Sequence, residues 1–374
     1  MLLTDGPDAG TRDGDSVPVL PRLAVEKQVL FLGGKGGVGK TTLASAAAHG
    51  AAAAGRDVLV ISTDPAHNLG HLWEREVGDR RTVLAADLPG RLEGVEIDPE
   101  ATTARHLEQV GRTMRRLSPE HLAGQIDRHL ALVRDTPGTH EAAVLERMTE
   151  LVEQGRAEFD LVVLDTAPTG HTARLLALPE IMTAWMEGLL ATRDRAAGFE
   201  EARRSFDDTG ERRGWLRGRR GRRDTRAEGD LGASVLGTRL AEAAPAPRAD
   251  RDEEIRAVLL RRRDRLAGLR ALLTDPAACS FAIVLAAERL PVRESIALHR
   301  ELGELGVDVG GLVVNKRSPG DRGEFLAARR AVEAEHLAEL RCALPEVPLQ
   351  QVALGARDVV GETDVAALSR TLDV

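Results

Sequence analysis

The chain has 374 residues, 43% of them apolar, and a formal net charge of −8. These values describe one large or two ordinary globular domains and exclude a fibrous or low-complexity chain. The acidic balance argues against a general polyanion-coating protein, and no run reaches the roughly eighteen apolar residues of a membrane-spanning helix.

Residues 1–21 are acidic and rich in Pro and Gly without an apolar h-region. Residues 1–26 are therefore predicted to form a disordered tail rather than a signal peptide, and the protein to be cytoplasmic, with one folded unit over 27–374. Short apolar runs at 28–32, 57–61, 92–97, 161–164, 281–286 and 307–314 alternate with helical patterns. Such alternation predicts an α/β fold with a mostly parallel sheet flanked by helices.

The first run leads into GKGGVGKTT, Gly34 to Thr42, and then into an alanine-rich helical segment. Strand, glycine loop and helix in that order make a phosphate-binding loop, with Gly34, Gly39, Lys40 and Thr41 at the G-x-x-x-x-G-K-T positions. Gly36, Gly37 and Gly39, with Val38 between them, let backbone N–H groups approach phosphate at a helix N-terminus. Lys40 is the β/γ-phosphate ligand of such a loop, and the Thr41 hydroxyl its Mg²⁺ ligand. Only four lysines occur among 51 basic residues: Lys27, Lys35, Lys40 and Lys316. A composition that favours Arg elsewhere keeps a compact ammonium at these positions, where a planar guanidinium does not substitute.

The second run ends in STDPAHN, which places Asp64 at the carboxyl end of a strand with Pro65, His67 and Asn68 after it. Helical inserts are predicted at 100–156 and 172–274, together making an α-helical subdomain. In the second, Leu178, Ile181, Met182, Trp185, Met186, Leu189 and Leu190 follow amphipathic spacing. Within it, 196–252 is dense in Arg, Gly, Asp and Glu and is predicted to be largely disordered. Its basic stretch 212–226 is read as a solvated loop, the alternative being a patch for nucleic acid or anionic membrane; no specific nucleic-acid partner is predicted.

The fourth run ends in Asp165, a Walker B pattern that puts a carboxylate near Mg²⁺. The following Thr166 to His171 segment, with Pro168 and Gly170, is predicted to switch with the γ-phosphate. After the sixth run, Asn315-Lys316-Arg317-Ser318 is similar to a base-reading N-K-x-D loop, but Ser318 lacks the carboxylate that selects guanine. ATP is therefore the expected nucleotide. Cys279 and Cys342 have no C-x-x-C spacing, predict no zinc site and are read as ordinary core thiols.

GKGGVGKTT, STDPAHN and DTAPTGHTARLLALP together resemble the family of the arsenite-pump ATPase ArsA and the guided-entry targeting ATPases of tail-anchored membrane proteins. The likeness extends to EIDPEAT, TPGTHEA, the strand end at Asn315 and VPLQQVALG, from about residue 28 onward. The MinD and ParA ATPases share only the first motif. The resemblance implies a P-loop NTPase that hydrolyses ATP with Mg²⁺ as a homodimer. Lys35 would reach the partner's phosphates, Thr42 the α-phosphate, and Asp64 the attacking water. Asp165 would act on Mg²⁺ through water, and Gly170 would sense the γ-phosphate. Asn315 would hydrogen-bond adenine, with Pro348 beside it.

The resemblance also implies an apolar client, such as a transmembrane segment, or a membrane partner. The methionines Met114, Met148, Met182 and Met186 fall in the helical inserts, where flexible thioethers suit a promiscuous apolar groove, the alternative being plain helix-core packing. The alternatives are an energiser of an arsenite or anion efflux pump and a nucleotide-gated adaptor that docks through the basic loop. The sequence departs from the fungal and animal targeting ATPases in lacking C-x-x-C, and from the tandem arsenite pumps in having one P-loop and no cysteine cluster.

Overall fold

Apolar side chains on both sides of the strands decide the architecture. The computed structural model describes residues 16–64, 68–117, 123–134, 138–166 and 248–372. Eight strands form one sheet: β1 (Val29–Gly33), β2 (Val58–Ser62), β3 (Thr82–Ala85), β4 (Leu92–Glu96), β5 (Leu161–Asp165), β6 (Cys279–Ala286), β7 (Val309–Arg317) and β8 (Leu349–Ala353). Their order is β3-β4-β2-β5-β1-β6-β7-β8, parallel throughout except for the antiparallel edge strand β3. Every residue of β1, β2 and β5 is buried, as a sheet covered on both faces requires.

One face carries Val29, Phe31, Leu59, Ile61, Val162 and Leu164. It is covered by α6 (Thr139–Glu158), α7 (Arg248–Leu273), α8 (Arg289–Glu304) and α9 (Glu324–Ala343). Phe31 and Phe281 stack here with ring centroids 6.1 Å apart, a geometry that adds about 0.5–1.5 kcal/mol to their burial. The other face, with Leu30, Leu32, Val58, Val60 and Val163, meets α1 (Val19–Glu26), α2 (Lys40–Ala53), α3 (Asn68–Trp73) and α10 (Gly361–Leu372). Alanines at 44, 46, 47, 48, 51 and 52 let α2 lie close under its neighbours and the sheet.

The helices α4 (Pro99–Leu117) and α5 (Ala123–Arg134) extend the first insert. Its last helix, α6, belongs to the sheet core, because Val144, Leu145, Met148, Leu151 and Val152 are buried among strand residues. Met148 is therefore core packing, whereas Met114 is half-buried. Arg105 and Arg147 converge on Asp79 and tie α4 and α6 to the segment before β3. From the second insert the structure describes α7, whose Leu266, Leu269, Leu272 and Leu273 join the same core. Helix begins at Arg248, so the disorder expected through residue 252 is corrected over 248–252. The rest of that segment, the basic stretch 212–226, Met182, Met186 and the amphipathic spacing at 178–190 lie outside the described residues.

Three further expectations are corrected. The tail predicted over 1–26 is ordered from Ser16: Ser16 bridges Leu349 of β8, and Val19, Leu20 and Leu23 of α1 are fully buried. Residues 1–15 lie outside the described set. Strands β3 and β8 had no clear apolar run; β3 has four residues, and two glutamines interrupt β8. Gln350 is nevertheless buried, because its Oε1 accepts from Leu20 N (3.0 Å) and its Nε2 donates to Leu372 O (2.8 Å). Finally, Cys342 is exposed on α9 instead of lying in the core, whereas Cys279 is buried in β6 with its thiol pushed up to about 12 by desolvation. No helix among the described residues is long and apolar enough to cross a membrane.

Candidate nucleotide site

At the carboxyl end of the central strand β1, the chain turns into α2 through the glycine loop. Gly34 has φ +147° and faces Val284 so closely that a Cβ would lie 2.0 Å from its carbonyl oxygen, leaving room only for glycine. Gly37 (φ +79°) and Gly39 (φ +92°) are left-handed. Alternating positive φ turns successive N–H groups toward one side of the loop and builds an anion-binding concavity at the start of α2.

Lys40 is buried, and its Nζ donates to the carbonyl of Lys35 (3.2 Å). Desolvation pulls its pKa down, while Asp165 and Asp64 oppose that shift. Thr41 Oγ1 donates to Asp165 Oδ2 at 2.5 Å. The other oxygen, Asp165 Oδ1, is buried without a hydrogen-bond partner among the described residues, and burial raises the carboxyl to about 6 against the pull of Thr41 and Lys40. A carboxylate fixed on one side by a hydroxyl and left with an orphaned oxygen on the other fits a divalent cation. Register places Asp165 opposite Leu32 of β1 and Ser62 of β2, so the Walker B carboxylate flanks the loop.

Asp64 follows β2; it is half-buried, and its Oδ2 accepts from Asn68 Nδ2 at 3.2 Å. Pro65, His67, Pro168, Gly170 and His171 lie outside the described residues. Thr42 lies in the first turn of α2 and is half-buried. The sheet thus gathers Lys40, Thr41, Asp64 and Asp165 on the β5 and β2 side of the loop.

The β6 and β7 side holds two more lysines, Lys35 and Lys316, whereas Lys27 lies away from the site and donates to Pro276 O. Lys35 pairs with Glu294 of α8 (3.1 Å), and Lys316 Nζ donates to Gly37 O (2.9 Å). Lys35, Gly36, Gly37, Glu288, Leu290 and Lys316 line an open cleft of about 420 Å³. Asn315 is tied to the loop and to its own strand end: one N–H of its Nδ2 donates to Val38 O and its Oδ1 accepts from Lys316 N, both at 2.9 Å. Behind it, Glu333 of α9 takes Arg317, Ser318 and Arg329. Burial works against the Glu333 carboxylate, but the Ser318 hydrogen bonds and the Arg317 charge hold it below its usual range. The acid missing from position 318 is thus replaced in space by one already committed to structure.

Pro348 is misplaced by the sequence reading. Its carbonyl accepts from Leu312 N at the entering end of β8, whereas the ligand end of a parallel sheet is the carboxyl end. At that end Leu354 N donates to Arg317 O, so the segment after β8, not the one before it, borders the site. Sequence reasoning also missed Glu294 and Glu333, which sit on helices with no motif around them.

Glycine loop, buried lysine, hydroxyl and Walker B carboxylate on a central parallel strand define a P-loop nucleotide-binding ATPase fold. The family model described as anion-transporting ATPase matches residues 27–211 and 240–373, and the chain belongs to that family of ATPases. It is 30% identical to a putative arsenical pump-driving ATPase of Halobacterium salinarum, over 91% of this chain and 43% of that protein. It is 27% identical to putative arsenical pump-driving ATPase 2 of Aquifex aeolicus, over 92% of this chain and 99% of that one. It is also 27% identical to the ATPase GET3 of Malassezia globosa, over 97% and 96%. The chain therefore spans about half the length of some relatives, 43% and 49% for two of them, and nearly the whole of others.

Proposed function

We propose that the chain is a cytoplasmic, Mg²⁺-dependent ATPase that works as a nucleotide-switched homodimer. The observation that supports this most is the Thr41–Asp165 pair with its orphaned Oδ1 beside the glycine concavity. Gly34 to Gly39 cradle the phosphates through backbone N–H groups, Thr42 meets the α-phosphate, and Lys40 leaves the Lys35 carbonyl to meet the β/γ-phosphates. Thr41 and Asp165 would hold Mg²⁺. When bound, Mg²⁺ neutralises charge on the phosphate oxygens. Asp64 orients the attacking water, steadied by Asn68. Pro65, Pro168, Gly170 and His171 complete the switches.

Lys35 serves the partner's site. Within one chain it is held by Glu294, so that pair opens when the dimer closes. The client is an apolar segment such as a tail anchor. In support, Ala104, Leu107, Leu130 and Ala131 line a cleft between α4 and α5 that is rimmed by Glu108, Arg115 and Arg134, with Leu132 exposed nearby. The relatives named as arsenical pump-driving ATPases make an efflux energiser the second reading. Against it, the two thiols occupy different settings, one buried and one exposed.

The cation site makes a pH prediction. A carboxyl raised in the fold binds its proton more tightly folded than unfolded. Asp165 therefore contributes less stability as pH climbs from 3.8 to about 6, and its contribution is level above that. Mg²⁺ competes with that proton, so its affinity rises about tenfold per pH unit up to about pH 6 and levels off above it. Melting curves with and without Mg²⁺ should show a larger Mg²⁺-induced rise at pH 7.5 than at pH 5. An equal rise at both would remove Asp165 from the cation site.

A further inference from the structure

Two consecutive carbonyls of the glycine loop are held by two consecutive side chains from the end of β7. Lys316 Nζ takes Gly37 O and Asn315 Nδ2 takes Val38 O, each at 2.9 Å. The holding end is itself built: Lys316 adopts φ +59°, a conformation a lysine enters at a cost, and Asn315 Oδ1 secures it by accepting the Lys316 N–H. The buried Arg317–Glu333 pair, 2.6 Å long, and the two Ser318 hydrogen bonds to Glu333 anchor the next turn. Gly39 lies so near that a Cβ there would meet Asn315 Nδ2 at 2.4 Å.

A trans peptide is planar, so the C=O of one residue and the N–H of the next point in opposite directions. Pulling the Gly37 and Val38 carbonyls toward β7 turns the Val38 and Gly39 N–H groups the other way. Given the strand order β2-β5-β1-β6-β7, that is toward the side of Lys40, Thr41 and Asp165. We infer that Lys316 and Asn315 are positioning residues for phosphate: they fix the orientation of two loop N–H donors. The inference rests on the phosphate-site reading above and deepens it.

The test uses the full chain and three probes with Mg²⁺: ATP, GTP and inorganic tripolyphosphate, which has no base. Lys316→Met keeps the stem and the same backbone demand but loses the donor. It should weaken all three probes by a common factor of about three to ten, the worth of one hydrogen bond, with the ATP-to-GTP ratio unchanged. Asn315→Ala, which frees both Val38 O and Lys316 N, should act in the same direction and more strongly. Circular dichroism confirms that each variant is folded. If tripolyphosphate binds Lys316→Met as it binds the native chain, whether or not ATP binding falls, the positioning role is overturned. If the unaltered chain binds neither ATP nor tripolyphosphate, the phosphate site itself fails first.

Discussion

Lys40→Ala is expected to lower ATP and ADP affinity by at least about a hundredfold while the chain stays folded. Lys40 Nζ is buried at the start of α2 and, among the described residues, donates across the loop to Lys35 O at a rather long 3.2 Å. A desolvated ammonium in that state gains much by meeting phosphate oxygens. Two charge-assisted hydrogen bonds, at about 1.5–3 kcal/mol each, correspond to roughly 10²–10⁴ in affinity. The loss is compounded at Asp165, since Lys40 is a charge that opposes its raised pKa. Without it the carboxyl holds its proton to higher pH and takes Mg²⁺ less readily. Titration with a fluorescent nucleotide reads the effect, and affinity within about threefold of native would contradict it.

Asp64→Asn should separate binding from turnover. The carboxylate stands at the exit of β2, half-buried, with Asn68 Nδ2 on one oxygen. The substitution keeps shape and removes the charge that can orient or accept a proton from water. Loss of such a group costs about 10²–10⁴ in rate, and nucleotide affinity should move by less than about threefold because Lys40, Thr41 and the loop are untouched. Normal kcat in this variant would take the role from Asp64. With ATP, the same variant should hold the closed dimer together with any client it carries, which a pull-down reads.

The parts of this site that were legible in the sequence are those whose chemistry is local. The glycine loop, the Asp64 and Asp165 strand ends and the parallel sheet each depend on contiguous residues whose spacing is the signal. What escaped depends on residues brought together by the fold. Lys316 and Gly37 are distant in the chain, as are Lys35 and Glu294. The neighbours of Asn315 spell part of a known base-reading loop, but they gave no sign of its hydrogen bond to Val38 O. Pro348 was placed from a motif without strand direction, and β8 was hidden because its buried glutamine is satisfied by α1 and α10 rather than by being apolar. The ordered α1 was missed because four buried residues, Val19, Leu20, Leu23 and Ala24, close a chain start otherwise rich in turn formers.

The central claim is that each site is completed by the other subunit's Lys35. Lys35→Ala and Asp64→Asn should each be nearly inactive alone, the first lacking the lysine it lends and the second lacking its own water-orienting carboxylate. In a mixed dimer, the Lys35→Ala subunit keeps Asp64 and receives Lys35 from its partner. Equimolar mixing of the two full-length variants should therefore restore ATP hydrolysis to about a quarter of native, since random pairing in a two-fold dimer makes half the dimers mixed with one complete site each. Hydrolysis that stays at the sum of the two inactive variants, under conditions where subunits exchange, would contradict the shared site.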